Sequence, residues 1–244
     1  MSESEAEFLQ HYNIHNYEVP LATVDIAIFT VNEGKLQVLL VQRGQHPAKG
    51  QWALPGGFVD LKQDENLLAT AKRKLAEKTG VLTPYLEQVE SVGNGVRDPR
   101  GWSITVTYFA LLDLNAVTLS TKSTQEQARW HDLESLPTLA FDHQQLLNQC
   151  LERLRSKVLY TSIPINLLPE LFTLSDLQNL YEVVLGQPLE KKAFRRRMLE
   201  ANILQETDET RSAGARPAKL YRRTEAAKHY FLHVVCRGPD VKRD

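Results

Sequence analysis

Two β-rich runs, LATVDIAIFTV (21–31) and KLQVLLVQR (35–43), flank a short Asn-Glu-Gly turn and predict a hairpin. The loop QHPAKGQWALPGGF follows, punctuated by Gly and Pro. From Glu65 to Thr79, Leu68, Ala71 and Leu75 recur at helical spacing, and Gly80 supplies a natural stop. WSITVTYFALLDL (102–114) predicts another strand. Leu147, Cys150, Leu151, Leu154 and Val158 then place a helix on 141–160. That helix either closes a first domain or packs against a second copy of the chain; closure is the expectation.

After Tyr160 the pattern changes to shorter helices. Ser175 with Gln178 three residues on predicts a capping box. It opens a helix with Leu177, Leu180, Tyr181 and Val184 on one face, stopped by Gly186 and Pro188. A second helix is expected over 189–203, then a polar hairpin in QETDETRSAGARPAKLYRR, then a last helix over 224–235. Helix, helix and basic hairpin is the order of a winged helix-turn-helix. The expected division is therefore 1–160 and 161–244.

Composition adds bounds. The chain has 244 residues, 42% hydrophobic and 24% charged, which suits two globular domains. It holds no apolar run of membrane-spanning length, and MSESEAEFLQ lacks the features of a signal peptide. Cys150 and Cys236 stand far apart without metal-ligand spacing, as in a cytoplasmic protein. The net charge of −1 hides an asymmetry: residues 1–163 carry 15 Lys and Arg against 19 Asp and Glu, residues 164–244 carry 14 against 11. Within 186–223 the count is 10 against 5, so the second half is expected to meet a large anion.

The chemistry concentrates in GGFVDLKQDENLLATAKRKLAEKTGV. Gly56 and Gly57 allow close backbone approach to a ligand before the helix starts. Positions 74, 77 and 78 of that helix fall within an arc of about 100°. Three carboxylates there would hold hard divalent ions, which clamp a diphosphate and activate water. Here Lys74 and Lys78 occupy two of the three positions. At about 5 Å and an effective dielectric near 20, one misplaced unit charge costs a divalent ion on the order of 6–7 kcal/mol. The two ammonium groups would instead offset the charge of a diphosphate.

This stretch resembles the Nudix box, G-x5-E-x7-R-E-U-x-E-E-x-G-U, with Gly57, Glu65, Arg73, Leu75, Glu77, Gly80 and Val81 on the pattern. It departs in the two lysines and in the seven residues between Gly57 and Glu65. VRDPRGW (96–102) is similar to a loop of Nudix proteins that act on ADP-ribose, and Arg43 resembles the arginine that those proteins place beside the diphosphate. Arg97 and Arg100 suit phosphate or ribose, because a guanidinium fork matches phosphate geometry. The expected ligand residues are thus Arg43, Gly56, Gly57, Phe58, Lys74, Lys78, Arg97, Asp98 and Arg100. Trp52 and Phe58 fit either a base or the core. His11, His15, His46, His131 and His143 show no ligand spacing, and His229 with His233 lacks a third ligand.

In the basic half, Phe194, Met198 and Ala201 share one helix face, opposite Lys192, Arg195 and Arg196, with Lys191 at the edge and Leu199 intruding. Such a helix can pack inward while entering a major groove. The hairpin adds Arg211, Arg216, Lys219, Arg222 and Arg223, suited to phosphates or a minor groove. Lys191, Lys192, Arg195, Arg196, Arg216, Lys219 and Arg222 are the expected DNA contacts.

From 20 to 235 the chain resembles the Nudix-related transcriptional regulators (NrtR). The resemblance implies a Nudix-like α/β/α sandwich followed by a winged helix-turn-helix domain. It also implies a dimeric repressor of NAD-biosynthesis genes, released from palindromic double-stranded operator DNA by ADP-ribose; Lys74 and Lys78 add the expectation of no metal and no catalysis. The rival is an active ADP-ribose pyrophosphatase with metals on Glu77, Glu65, Asp60, Asp64 or backbone oxygens. RNA binding is a weaker alternative, without an RNA-module motif to support it.

Overall fold

A computed structural model describes residues 4–82, 85–117, 119, 127–212 and 217–229. The short helix α1 (Glu5–His11) precedes strand β1 (Leu21–Asn32), and β1 turns into β2 (Lys35–Gln42). This is the expected hairpin, with Phe29 opposite Val38 in antiparallel register. Two short strands, β3 (Trp52–Ala53) and β4 (Gly56–Phe58), lead to helix α2 (Leu67–Thr79). Asn66 caps α2 at its N-terminus, and Gly80 ends it in the left-handed conformation.

Strands β5 (Tyr85–Asn94), β6 (Ser103–Leu111) and β7 (Gln127–Asp132) complete a mixed sheet of order β3-β2-β1-β6-β5, with β4 pairing β1 and β7 pairing β2. The β1–β6 pair is parallel. Because side chains alternate across a strand, β1 is buried on both faces. Val24, Ile26 and Ile28 meet Ala71 and Leu75 of α2 on one side. Ala27 and Phe29 share the other core with Leu146, Leu147 and Cys150 of helix α3 (His143–Val158). Helix, sheet and helix thus form the expected α/β/α sandwich, and α3 closes it rather than projecting outward. Burial pushes the Cys150 thiol up to about 12, which makes it an inert core residue.

A 3₁₀ turn (Ile163–Leu167) leads into helix α4 (Leu174–Leu185), helix α5 (Lys191–Glu200) and the hairpin β8 (Leu204–Arg211) and β9 (Ala218–Arg223). Phe172 bridges Tyr221, adding a third short strand position to the wing. The capping box that opens α4 is Thr173 with Asp176, not Ser175 with Gln178. Gln178 faces inward instead, donating to Glu182 and to the Leu189 carbonyl. Helix α5 is shorter than expected because Glu190 caps it, accepting from the N–H groups of Lys192 and Ala193. Of the expected helix 224–235, a 3₁₀ turn covers Glu225–His229, and the remainder lies outside the described residues.

The hydrophobic core runs without interruption from α3 into Leu177, Tyr181, Phe194 and Met198. Among the described residues no helix is long and apolar enough to cross a membrane.

Candidate functional site

A cavity of about 450 Å³ gathers all nine expected ligand residues: Arg43, Gly56, Gly57, Phe58, Lys74, Lys78, Arg97, Asp98 and Arg100. The chain brings them together from the end of β2, from β4, from the inner face of α2 and from the loop between β5 and β6.

The two glycines have different reasons. A Cβ on Gly56 would lie 2.3 Å from the Val24 carbonyl oxygen and 2.5 Å from Asp25 Oδ1, so the close approach is to β1, not to a ligand. Gly57 has φ +144° and faces Lys74, whose Nζ would stand 3.3 Å from an added Cβ. The Lys74 ammonium therefore sits directly beside the bend. It also lies 3.6 Å from Glu77, while Arg73 approaches the other Glu77 oxygen at 3.4 Å.

Of the carboxylates offered by the rival reading, Asp60 and Asp64 are engaged outside the cavity. Asp60, Asp64 and Glu65 do not line the cavity, whereas Glu77 does. Arg73 grips Asp64 through Nε at 2.8 Å and Nη2 at 2.5 Å. Asp64 in turn accepts from the Asp60 backbone N–H. The Arg73 guanidinium holds the Asp64 carboxyl well below the usual carboxylate range. Among the described residues no group of three or more His, Cys, Asp or Glu is placed to hold a metal ion.

The two arginines of the loop between β5 and β6 differ in their partners. Arg97 lines the cavity but is 9% exposed. Its fork is taken by Asp142, at 2.9 Å from Nε and 3.1 Å from Nη2, and Nη1 donates to Ser103 at 3.3 Å. Arg97 thus lies in the cavity wall as expected, with its guanidinium engaged by Asp142 and Ser103. Arg100 is the outward member, with its guanidinium 4.9 Å from the centre of the exposed Phe58 ring and 2.7 Å from Asp98. That pairing lowers the Asp98 pKa. Asp98 thus orients Arg100 and also accepts from its backbone N–H. Arg43 donates from Nε to the Pro47 carbonyl and lies 4.7 Å above the Phe141 ring. Trp52 packs edge-on against His131 at 4.6 Å, outside the cavity, so of the two undecided aromatics Phe58 alone faces the cleft.

Asp25, Phe141 and His143 line the cavity unanticipated. Asp25 accepts from the Thr105 hydroxyl at 2.8 Å and lies 3.7 Å from His143 Nε2. His143 Nδ1 accepts from the Leu54 N–H at 2.9 Å, so the ring proton of the neutral form is on Nε2, toward Asp25. A lone carboxylate inside an otherwise apolar strand was a signal for Asp25. Phe141, at φ 54°, holds a left-handed backbone rarely adopted by a bulky residue, which no sequence pattern announces.

In the second half, Phe194, Met198 and Ala201 are buried and Lys191, Lys192 and Arg196 are exposed, as the helix face predicts. Leu199 is 47% exposed beside them. Arg195 is tied across to α4, donating to the Ser175 hydroxyl at 2.9 Å. Arg211 pairs with Asp176 and Lys219 with Glu206. Arg222 lies half-buried on β9, and Arg216 falls outside the described residues. The exposed cations thus rise from α5 and the wing of one small domain.

Two family models match the chain in this order: the NUDIX domain over residues 21–151 and the NrtR DNA-binding winged helix domain over residues 164–223. A protein of Acinetobacter baylyi, the ADPR responsive transcriptional repressor NtrR, is 56% identical over 221 residues, which cover 90% of this chain and 88% of that one. The chain belongs to the NrtR family. The crystal structure of Shewanella oneidensis NrtR complexed with a 27mer DNA superposes with a TM-score of 0.82 at 45% identity, covering 88% of this chain and 99% of that one. The NUDIX domain of the same NrtR complexed with ADP ribose matches at 47% identity and a TM-score of 0.57, over 62% of this chain and 99% of that one. The NrtR architecture thus accounts for both the cleft and the basic module.

Proposed function

We propose that this NrtR-family protein is a cytoplasmic, dimeric transcriptional repressor that binds ADP-ribose in its Nudix cleft without hydrolysing it and leaves DNA when it does so. The observation that carries the reading is the charge inside the cleft. Lys74 and Lys78 line it where the Nudix box has carboxylates, and Glu77 between them is already matched by Arg73 and Lys74. Such a wall attracts a diphosphate and repels a divalent cation. Lys74, Lys78 and Arg43 would take the diphosphate, and the Arg100–Phe58 pair a ribose or base edge. Residues 1–160 are the sensing unit and 161–244 the DNA-binding unit. Lys191, Lys192 and Arg196 of α5 would enter a major groove, with Lys219, Arg222 and Arg216 toward flanking phosphates and Arg195 positioning the helix. Palindromic operators of NAD-biosynthesis genes are the targets that the family resemblance implies.

The deciding experiment is a calorimetric titration with ADP-ribose and magnesium, followed by mass analysis of the recovered ligand. Operator binding is then measured with and without ADP-ribose. Saturable binding, intact ligand and weakened DNA binding are expected. Recovery of AMP and ribose phosphate would establish an enzyme instead.

A further inference from the structure

Helix α3 touches the cleft at one end and the DNA-binding unit at the other. At its start, Asp142 grips Arg97 through both carboxylate oxygens, Phe141 lies beneath Arg43, and His143 reaches toward Asp25. Sixteen residues later it ends at Val158, a rigid span of about 24 Å. There Arg155 donates from Nε to the Val184 carbonyl at 3.1 Å, on the last turn of α4. Thr161, bonded back to the Lys157 carbonyl, accepts from the buried Tyr181 hydroxyl at 3.0 Å. The Tyr181 ring meets Phe194 of α5 edge-on at 5.2 Å. Leu146, Leu147, Cys150, Leu154 and Val158 fill the core between these ends, so the helix cannot shift at one end alone.

We infer that α3 is the element through which cleft occupancy alters the DNA-binding unit, with Arg155 and Tyr181–Thr161 as its output contacts. This rests on the ADP-ribose reading above and adds the route. A ligand that engages Arg43 or Arg100 bears on Phe141 and, through the arginine loop, on Arg97 and Asp142. Any change in the seat of α3 reaches α4 through two named hydrogen bonds, and α5 through one ring contact. The coupling ratio between ADP-ribose and DNA is the quantity that reports this route.

The test uses the full chain and the variants Arg155→Ala, Tyr181→Phe and their combination. Arg155 is exposed, and Tyr181→Phe keeps the ring in place, so each single variant leaves the cores filled. ADP-ribose affinity is measured by calorimetry, and operator affinity by fluorescence anisotropy with and without saturating ADP-ribose. The expected result is ADP-ribose and ligand-free operator affinities within about threefold of the parent, with at least a tenfold loss in the factor by which ADP-ribose weakens DNA binding in the double variant. A parental coupling factor in all three variants overturns the route while leaving the proposed function intact. A parent whose DNA binding ignores ADP-ribose overturns the functional reading itself.

Discussion

Arg97 and Arg100 lie three residues apart in one loop, yet their replacement by alanine should fail in different ways. Arg97 is buried, and its fork closes on Asp142 with Asp25 at 3.6 Å. Removing one partner of a buried pair strands the opposite charge and costs about 3–5 kcal/mol. In a chain of this size that corresponds to a melting point lower by roughly 6–20 °C. Arg100 has a side chain that is 38% exposed, so its pair with Asp98 is screened and worth no more than about 1 kcal/mol. Its stacking on Phe58 adds about 0.5–1 kcal/mol. Together these are about 0.5–2 kcal/mol, so Arg100→Ala should melt only about 1–8 °C below the parent. As a charged donor facing the opening, it should weaken ADP-ribose binding by about 10–100-fold. Scanning calorimetry and ligand titration on both variants separate the roles. A melting point for Arg97→Ala within about 2 °C of the parent would refute this reading of the buried pair.

Four further outcomes follow from the same geometry. Lys192→Ala and Arg196→Ala should each weaken operator binding and lower the salt slope by about one; an unchanged slope in both, measured by anisotropy from low to high salt, removes α5 from the interface. Asp64 is held below its ordinary pKa by Arg73, so its stabilising effect is complete above about pH 4 and is lost as pH falls further. Asp64→Asn should flatten the acid limb of a stability-against-pH curve, and a limb of parental steepness would contradict this. Thr173→Ala removes the buried cap of α4 and should cost about 1 kcal/mol in urea unfolding. Lys74→Glu with Lys78→Glu should create manganese binding that titration calorimetry detects, and a parent that already binds manganese as tightly would undo the charge argument.

Much of the fold was legible because burial and periodicity agreed. The β1–β2 hairpin, α2 with its Gly80 stop and the buried face of α5 follow from side-chain spacing alone. The capping box of α4 was displaced by two residues because Ser175, Gln178, Thr173 and Asp176 all have capping chemistry, and tertiary packing chose among them. Burial draws Gln178 inward, and Thr173 is left at the point where the chain leaves the Phe172 bridge. The cleft was legible as a set of residues but not as a set of roles. Sequence places Arg97 and Arg100 as equals; the partner that separates them, Asp142, comes from 45 positions away. Phe141 and His143 were hidden for the same reason, since their place in the cleft depends on how α3 docks against the sheet.

The two lysines of α2 gain meaning from what surrounds them. Lys74, Glu77 and Lys78 together carry a single positive charge where three carboxylates would carry three negative ones. A solvated helix tolerates either set, so composition alone does not choose between decoration and function. Position supports the proposed function: Lys74 lies against the Gly57 bend, and Lys74 and Lys78 both line the cavity. Glu77 holds Lys74 and Arg73 in place, and Arg73 in turn braces the acidic loop through Asp64. The same Nudix framework that would present carboxylates to a metal is here held by its own cations. On the function proposed above, a site so arranged keeps a diphosphate whole for as long as it is bound, because a signal molecule has to survive its receptor.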